Sequence, residues 1–156
     1  PELLFEYERE GRILRIVALA GTVARPEDWN SKLKVEHELV IQGLLSRLGN
    51  LGGEPQVGSL RFRSFGALWH GETPITLAGV EGDSDAWVRR LHPTAALGVF
   101  PPAGPEACAF LGERDYFGAP FGEVDARGCR AWVQIRGLEW NANEVRVSCG
   151  VGVTAE

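Results

Sequence analysis

Ala131-Trp132-Val133-Gln134-Ile135-Arg136-Gly137-Leu138 alternates apolar and polar side chains over its middle, the period-two pattern of a half-buried strand. With Val133 and Ile135 turned to a core, Trp132, Gln134 and Arg136 share the other face. Turn residues bracket the run, Arg127-Gly128 before it and Asn141-Ala142-Asn143 after it. Beyond them lie two more strand-like runs, residues 117–124 and 145–153. Three strands joined by short polar turns predict an antiparallel meander.

The N-terminal half carries the same signals. Residues 3–8 and 12–19 are β-rich and flank Glu10-Gly11, a hairpin pattern. Ala20-Gly21-Thr22 then leads into a polar loop holding Pro26. Asn30 or Ser31 is placed to cap a helix over residues 32–48. Leu33, Val40, Leu44 and Leu48 fall on one stripe of that helix, with His37 near its middle and Glu36 on its edge. Residues 58–65 and 67–77 read as strands. Asp83-Ser84-Asp85 caps a short helix through Leu91, residues 92–105 form a proline-rich loop, and Pro105 opens a short helix to 112. Strands dominate and helices intervene singly, which predicts an α+β fold with a largely antiparallel sheet over residues 1–156.

Composition narrows the function. Of 156 residues, 44% are hydrophobic and 24% charged, enough for one domain with a sizeable core. A net charge of −5 argues against nucleic acid as the main partner. No apolar run reaches the roughly 18 residues of a membrane helix, and no signal-peptide pattern opens the chain. Cys108, Cys129 and Cys149 lack metal-ligand spacing and read as buried thiols in a reducing cytoplasm. There is no Met, the first residue is Pro1, and the chain stops just after a strand-like run; it reads as an excerpt.

Several residues suit the handling of anions and metal. Glu36 is a hard oxygen donor at the edge of a buried face, suited to Mg²⁺ with waters and a substrate carboxylate completing the shell. Gly21 lets backbone N–H groups approach an anion, and Thr22 adds a hydroxyl. His70 could bond a ligand carboxylate, Arg136 could clamp one with both arms, and Glu2 is a carboxyl able to protonate a leaving hydroxyl. Each alone also suits an ordinary packed or solvated side chain. No P-loop, nucleophile elbow or Cys/His pair is present.

The order of these pieces resembles the chorismate-binding family, which includes anthranilate synthase component I, aminodeoxychorismate synthase and salicylate synthase. Pro1-Glu2-Leu3-Leu4 is similar to the family's Ser-Pro-Glu strand, Leu19-Ala20-Gly21-Thr22 to its Ala-Gly-Thr turn, and Glu36-His37-Glu38-Leu39-Val40 to its metal-binding helix. The Leu91-His92-Pro93-Thr94-Ala95-Ala96-Leu97-Gly98 loop, the 117–125 strand and Gln134-Ile135-Arg136-Gly137 follow in the family's order. The resemblance implies an anthranilate synthase component I-like fold, two antiparallel sheets with helices outside, of which this chain is the C-terminal part. Alanine at 96, where anthranilate and salicylate synthases carry threonine, and at 20, where aminodeoxychorismate synthases carry lysine, implies water as nucleophile and no pyruvate elimination. That is the isochorismate synthase pattern, a Mg²⁺-dependent step serving menaquinone or siderophore synthesis. By the resemblance Glu2 is the general acid and Glu36 a Mg²⁺ ligand. Gly21, Thr22 and Arg136 hold carboxylates of chorismate, and His70, Ala96 and Leu97 line the pocket. The implied protein is a monomer of the cytoplasm. The family's base lysine is placed before Pro1 and its second metal glutamate after Glu156. The link from Thr22 to Glu36 is about ten residues shorter than the family's. Ala95, Glu123 and Gly137 depart from the family pattern. The alternatives are a non-catalytic chorismate-binding-like protein or a salicylate or anthranilate synthase.

Overall fold

The computed structural model describes residues 2–98, 100, 118–135 and 137–148. Strand β1 (Glu2–Glu8) and strand β2 (Ile13–Val23) form the expected hairpin, with Glu6 opposite Arg15 and Glu8 opposite Ile13. Arg12 sits in the turn at φ 53°, so the second strand starts at Ile13. A 3₁₀ turn (Pro26–Asp28) leads to helix α1 (Ser31–Leu48), which Asn30 caps by accepting the Leu33 N–H at 3.1 Å. Strands β3 (Gln56–Val57), β4 (Arg61–Phe65) and β5 (Leu68–Ala78) follow, then helix α2 (Ser84–Leu91), capped by Asp83. Strands β6 (Ala119–Val124), β7 (Gly128–Gln134), β8 (Gly137–Trp140) and β9 (Val145–Ser148) complete the described chain.

Seven strands make one antiparallel sheet in the order β3-β5-β2-β1-β7-β6, with β4 also on β5. The fold is α+β, as expected. Four details differ from the sequence reading. The 58–65 run narrows to β4, and a two-residue strand that the sequence reading did not predict, β3, precedes it on the same edge of β5. Val57 lies opposite Ile75 and Arg61 opposite Glu72, a one-residue slip that marks a bulge. Ala20-Gly21-Thr22 is not a strand exit but part of β2. Residues 131–138 are not one strand: β7 ends at Gln134 and β8 starts at Gly137. Finally, the meander is incomplete, because β6 pairs β7 while β8 and β9 form a separate two-stranded sheet. The 105–112 helix, Cys108, Cys149 and Arg136 lie outside the described residues.

One face of the sheet carries the core. Even-numbered β2 residues Leu14, Ile16 and Ala18, β5 residues Ile75 and Leu77, and β7 residues Cys129, Ala131 and Val133 are all buried. α1 covers them with His37, Val40, Leu44 and Leu48, the stripe legible in the sequence except that Leu33 is only half-buried. α2 seals one corner with Trp87, 5.4 Å from the Tyr7 ring, and the Tyr7 hydroxyl donates to the Val80 carbonyl. The helix C-termini are stitched reciprocally: Arg47 donates to the Arg90 carbonyl and Arg90 to the Arg47 carbonyl. No described helix is long and apolar enough to cross a membrane.

On the opposite face Glu72 is 4% exposed and is held by Arg61 at 2.7 Å and Arg63 at 3.5 Å. Both arginines are largely exposed, so the pair is screened on one side only. Arg61→Ala strips a buried carboxylate of its better partner. It is expected to cost about 1–3 kcal/mol, measured by urea unfolding, whereas an exposed ion pair such as Arg89–Asp85 should cost under about 1 kcal/mol.

Candidate functional site at one end of the sheet

The antiparallel order brings five chain segments to one end. β1 starts there with Glu2, β2 ends there with Gly21 and Thr22, β5 starts there with His70, and β7 ends there at Gln134, two residues before Arg136. Glu2 lies opposite Val133 in the ladder. Directly paired residues share a face, so Glu2 is on the helix side with the core residue Val133. The loop after α2 reaches the same place. Its Leu97 and Gly98 amides close a turn on the Thr94 carbonyl, and Leu97 packs against the core beside Val133 and Gly118. Ala95 lies against Gly43 of α1. Leu97 is half-buried and Ala96 is exposed.

Gly21 is the pivot of this end. Ala20 lies opposite Gly71 and Thr22 opposite His70, so Gly21 is the extra residue of a β-bulge, at φ 80°. Up to Ala20 the even-numbered β2 residues face the core; past the bulge Thr22 faces the other way and Val23 is buried. The Thr22 hydroxyl meets the His70 ring there, Oγ1 to Nδ1 at 3.0 Å. The Trp29 indole closes the helix side over two glycines. A Cβ on Gly21 would lie 2.5 Å from its ring carbons, and a Cβ on Gly71 would also strike them. Trp29 also meets the rings of His37 and Phe62 edge-on, at 5.9 and 5.2 Å.

His37 ties α1 to the bulge. Its Nδ1 lies 3.1 Å from the Ala20 carbonyl and its Nε2 2.8 Å from the Thr73 hydroxyl. Glu36, one residue earlier, is half-buried and has neither hydrogen bond nor ion pair among the described residues. The candidates thus gather at one end of the sheet in two groups. Glu2, Glu36 and Leu97 stand on the helix side, and Thr22 and His70 on the other, with Gly21 at the crossing. An open groove of about 560 Å³ lies along α1 toward β3, lined by Lys34, Ile41 and Leu45 among others. It shares Trp29, His37 and Thr73 with this end but includes neither Glu36 nor Gly21.

A Mg²⁺ ion would find in Glu36 a carboxylate that forms no ion pair among the described residues. No described cluster of three or more His, Cys, Asp or Glu is arranged to hold a metal. The residues fit Mg²⁺ as one protein ligand of a shell completed by waters and other oxygens, not as a closed cage.

Sequence reading did not pick out Trp29, Thr73 or Glu72. The signal for Trp29 was Gly71, a glycine inside a strand pattern, which marks close approach by another group.

Burial pushes the His37 ring below its usual pKa of 6.5, against the opposing pull of the Ala20 carbonyl and of Glu38 and Glu36. Burial and then the Arg47 charge do the same to His92. Both rings are therefore favoured neutral in the folded state. The unfolded chain binds the extra protons first as pH falls below 6.5, so stability is fully present above 6.5 and is lost as pH drops through the lower folded values. The urea midpoint should be flat just above pH 6.5 and decline below it. His92→Asn should flatten part of that decline.

A family model for chorismate binding enzymes matches residues 1–156, and the chain belongs to that family. No curated protein matches it in sequence. Among solved structures it is similar to MenF, the menaquinone-specific isochorismate synthase from Escherichia coli, with TM-score 0.65 and 21% identity over 85% of this chain and 34% of that one. It is likewise similar to DhbC from Bacillus anthracis, proposed to be a 2,3-dihydroxybenzoate-specific isochorismate synthase, with TM-score 0.67 and 24% identity over 85% of this chain and 40% of that one. The chain therefore spans well under half the length of either, and the likeness establishes a shared fold.

Proposed function

We propose that the full-length protein is an isochorismate synthase, converting chorismate to isochorismate with Mg²⁺ in the cytoplasm. The observation that carries this reading is alanine at both 20 and 96 in a member of the chorismate-binding family. Lysine at 20 would offer an amine nucleophile, and threonine at 96 resembles the synthases that expel pyruvate. With neither, water is the nucleophile: it adds to one ring carbon, the hydroxyl leaves another, and the ring double bonds shift between them.

The residues divide the work by chemistry. Glu2, on the helix side of the first strand, gives its proton to the departing hydroxyl. The Gly21 amide, the Thr22 hydroxyl and His70 bind one carboxylate of the substrate, and Arg136 a second by its bidentate fork. Leu97, beside Val133 and Gly118, would form part of the apolar wall of the pocket. Glu36 would hold Mg²⁺, which supplies charge neutralisation and orientation of a substrate carboxylate.

The test is turnover of chorismate by the full-length protein with Mg²⁺, the product separated chromatographically and pyruvate assayed in parallel. Isochorismate without pyruvate is expected. Pyruvate release would identify a salicylate- or anthranilate-type enzyme. Chorismate binding without turnover would favour a non-catalytic protein, the reading that the departures at Ala95, Glu123 and Gly137 suggest.

A further inference from the structure

We propose that His37 is a positioning residue for the substrate-carboxylate turn: it holds the Ala20–Gly21 peptide so that the Gly21 amide is presented to the ligand. The inference rests on the reading of Gly21 and Thr22 given above.

His37 is 5% exposed and both ring nitrogens are engaged, Nδ1 with the Ala20 carbonyl and Nε2 with the Thr73 hydroxyl. A backbone carbonyl only accepts, so Nδ1 carries the proton. In the neutral ring Nε2 is then the acceptor, and the Thr73 hydroxyl donates to it. The tautomer is fixed by its two partners, and the partners stand on different strands, β2 and β5.

The position of the Ala20 carbonyl has a direct consequence. A trans peptide is planar, with C=O and N–H pointing in opposite directions. Drawing the Ala20 carbonyl toward α1 therefore aims the Gly21 N–H away from α1, toward the face where Thr22 and His70 meet. This peptide enters the bulge, where the β-ladder changes register between Ala20 and Thr22 and no longer dictates peptide orientation by itself. Trp29 restrains the same unit from the helix side by packing over Gly21 and Gly71. His37 thus acts on the ligand through the backbone without touching it.

Full-length protein carrying His37→Phe, His37→Asn or Thr73→Val separates this role from simple core packing. Phenylalanine keeps a ring but loses both bonds. Asparagine keeps an N–H donor near the Nδ1 position. Thr73→Val removes the donor to Nε2 and leaves the ring in place. Chorismate affinity is expected to fall about tenfold in His37→Phe and to return to within about threefold of wild type in His37→Asn, with Thr73→Val between. Affinity for magnesium chloride alone should stay within about twofold throughout. Amide exchange at Gly21 should speed up in His37→Phe and slow again in His37→Asn. Equal loss of chorismate affinity in His37→Phe and His37→Asn, tracking their melting temperatures, would overturn the proposal, as would unchanged Gly21 exchange in both. If His37→Phe does not fold, the contrast between His37→Asn and Thr73→Val decides in the same way. Failure of the wild type itself to bind chorismate refutes the functional reading, and the Gly21 exchange contrast still decides whether His37 sets the peptide.

Discussion

Glu36→Gln and Glu2→Gln in the full-length protein are each expected to cut chorismate turnover by about 10²–10⁴ while leaving the fold intact. Glu36→Gln should destabilise little. Glu36 is half-buried and has no ion pair among the described residues, so removing its charge strands no partner. Glutamine keeps the volume and one oxygen at both positions. The two variants should differ in how they fail. A metal ligand acts through the cation, so Glu36→Gln should shift the Mg²⁺ dependence to higher concentration and recover part of its rate at saturating Mg²⁺. A proton donor acts in the chemical step, so Glu2→Gln should keep the wild-type Mg²⁺ dependence and lose kcat. Mg²⁺ titrations of initial rate at saturating chorismate measure both. Identical Mg²⁺ curves for the two variants would remove Glu36 from the metal.

Much of this arrangement was legible in the sequence because it rests on local rules. The α1 stripe follows from helical periodicity, and the structure buries His37, Val40, Leu44 and Leu48 together. The Asn30 and Asp83 caps are written in residue type. The β1–β2 hairpin and the β6–β7 pairing follow from turn residues between alternating runs. What was not legible depends on partners distant in sequence. The Gly21 bulge is a mismatch between β2 and β5, strands separated in sequence by helix α1 and strands β3 and β4, and a single strand read alone shows only a glycine that could end it. The split of residues 131–138 reflects a change of sheet, which no alternation pattern encodes. Nothing in the sequence marks Glu72 as buried; its burial depends on Arg61 and Arg63 of the neighbouring strand β4. Among the site residues, the shared location of Glu2, Gly21, Thr22 and His70 follows from strand order. The division of Thr22 and His70 from Glu2 and Glu36 follows from a one-residue register shift.

Gly21→Ala and Gly71→Ala should both destabilise the protein, and Trp29→Leu should rescue them unequally. A Cβ at either glycine meets the Trp29 ring, at 2.5 Å for Gly21. Overpacking of this kind costs about 1–3 kcal/mol when the neighbour cannot move aside, and Trp29 is held between His37 and Phe62. Gly21 carries a second cost. At φ 80° an alanine is strained by roughly 1–2 kcal/mol whatever the space around it. Gly71 has no positive φ, and its further close approach is a 3.0 Å contact to the Ala20 carbonyl. Gly21→Ala is thus expected to cost about 2–5 kcal/mol and Gly71→Ala about 1–3 kcal/mol in urea unfolding. Trp29→Leu removes the obstacle common to both. In double-mutant cycles it should recover most of the Gly71→Ala loss, with a coupling of about 1–3 kcal/mol. It should recover only part of the Gly21→Ala loss, because no change at Trp29 relaxes the Gly21 backbone. Ligand affinity should separate the two more sharply. Relief of the clash at Gly71 leaves the bulge in place and should restore chorismate binding. An alanine at 21 favours negative φ and turns the Gly21 amide away from its bulge orientation, so binding should stay weak even beside Leu at 29. Equal rescue of stability and of binding at both glycines would mean that the bulge contributes packing alone.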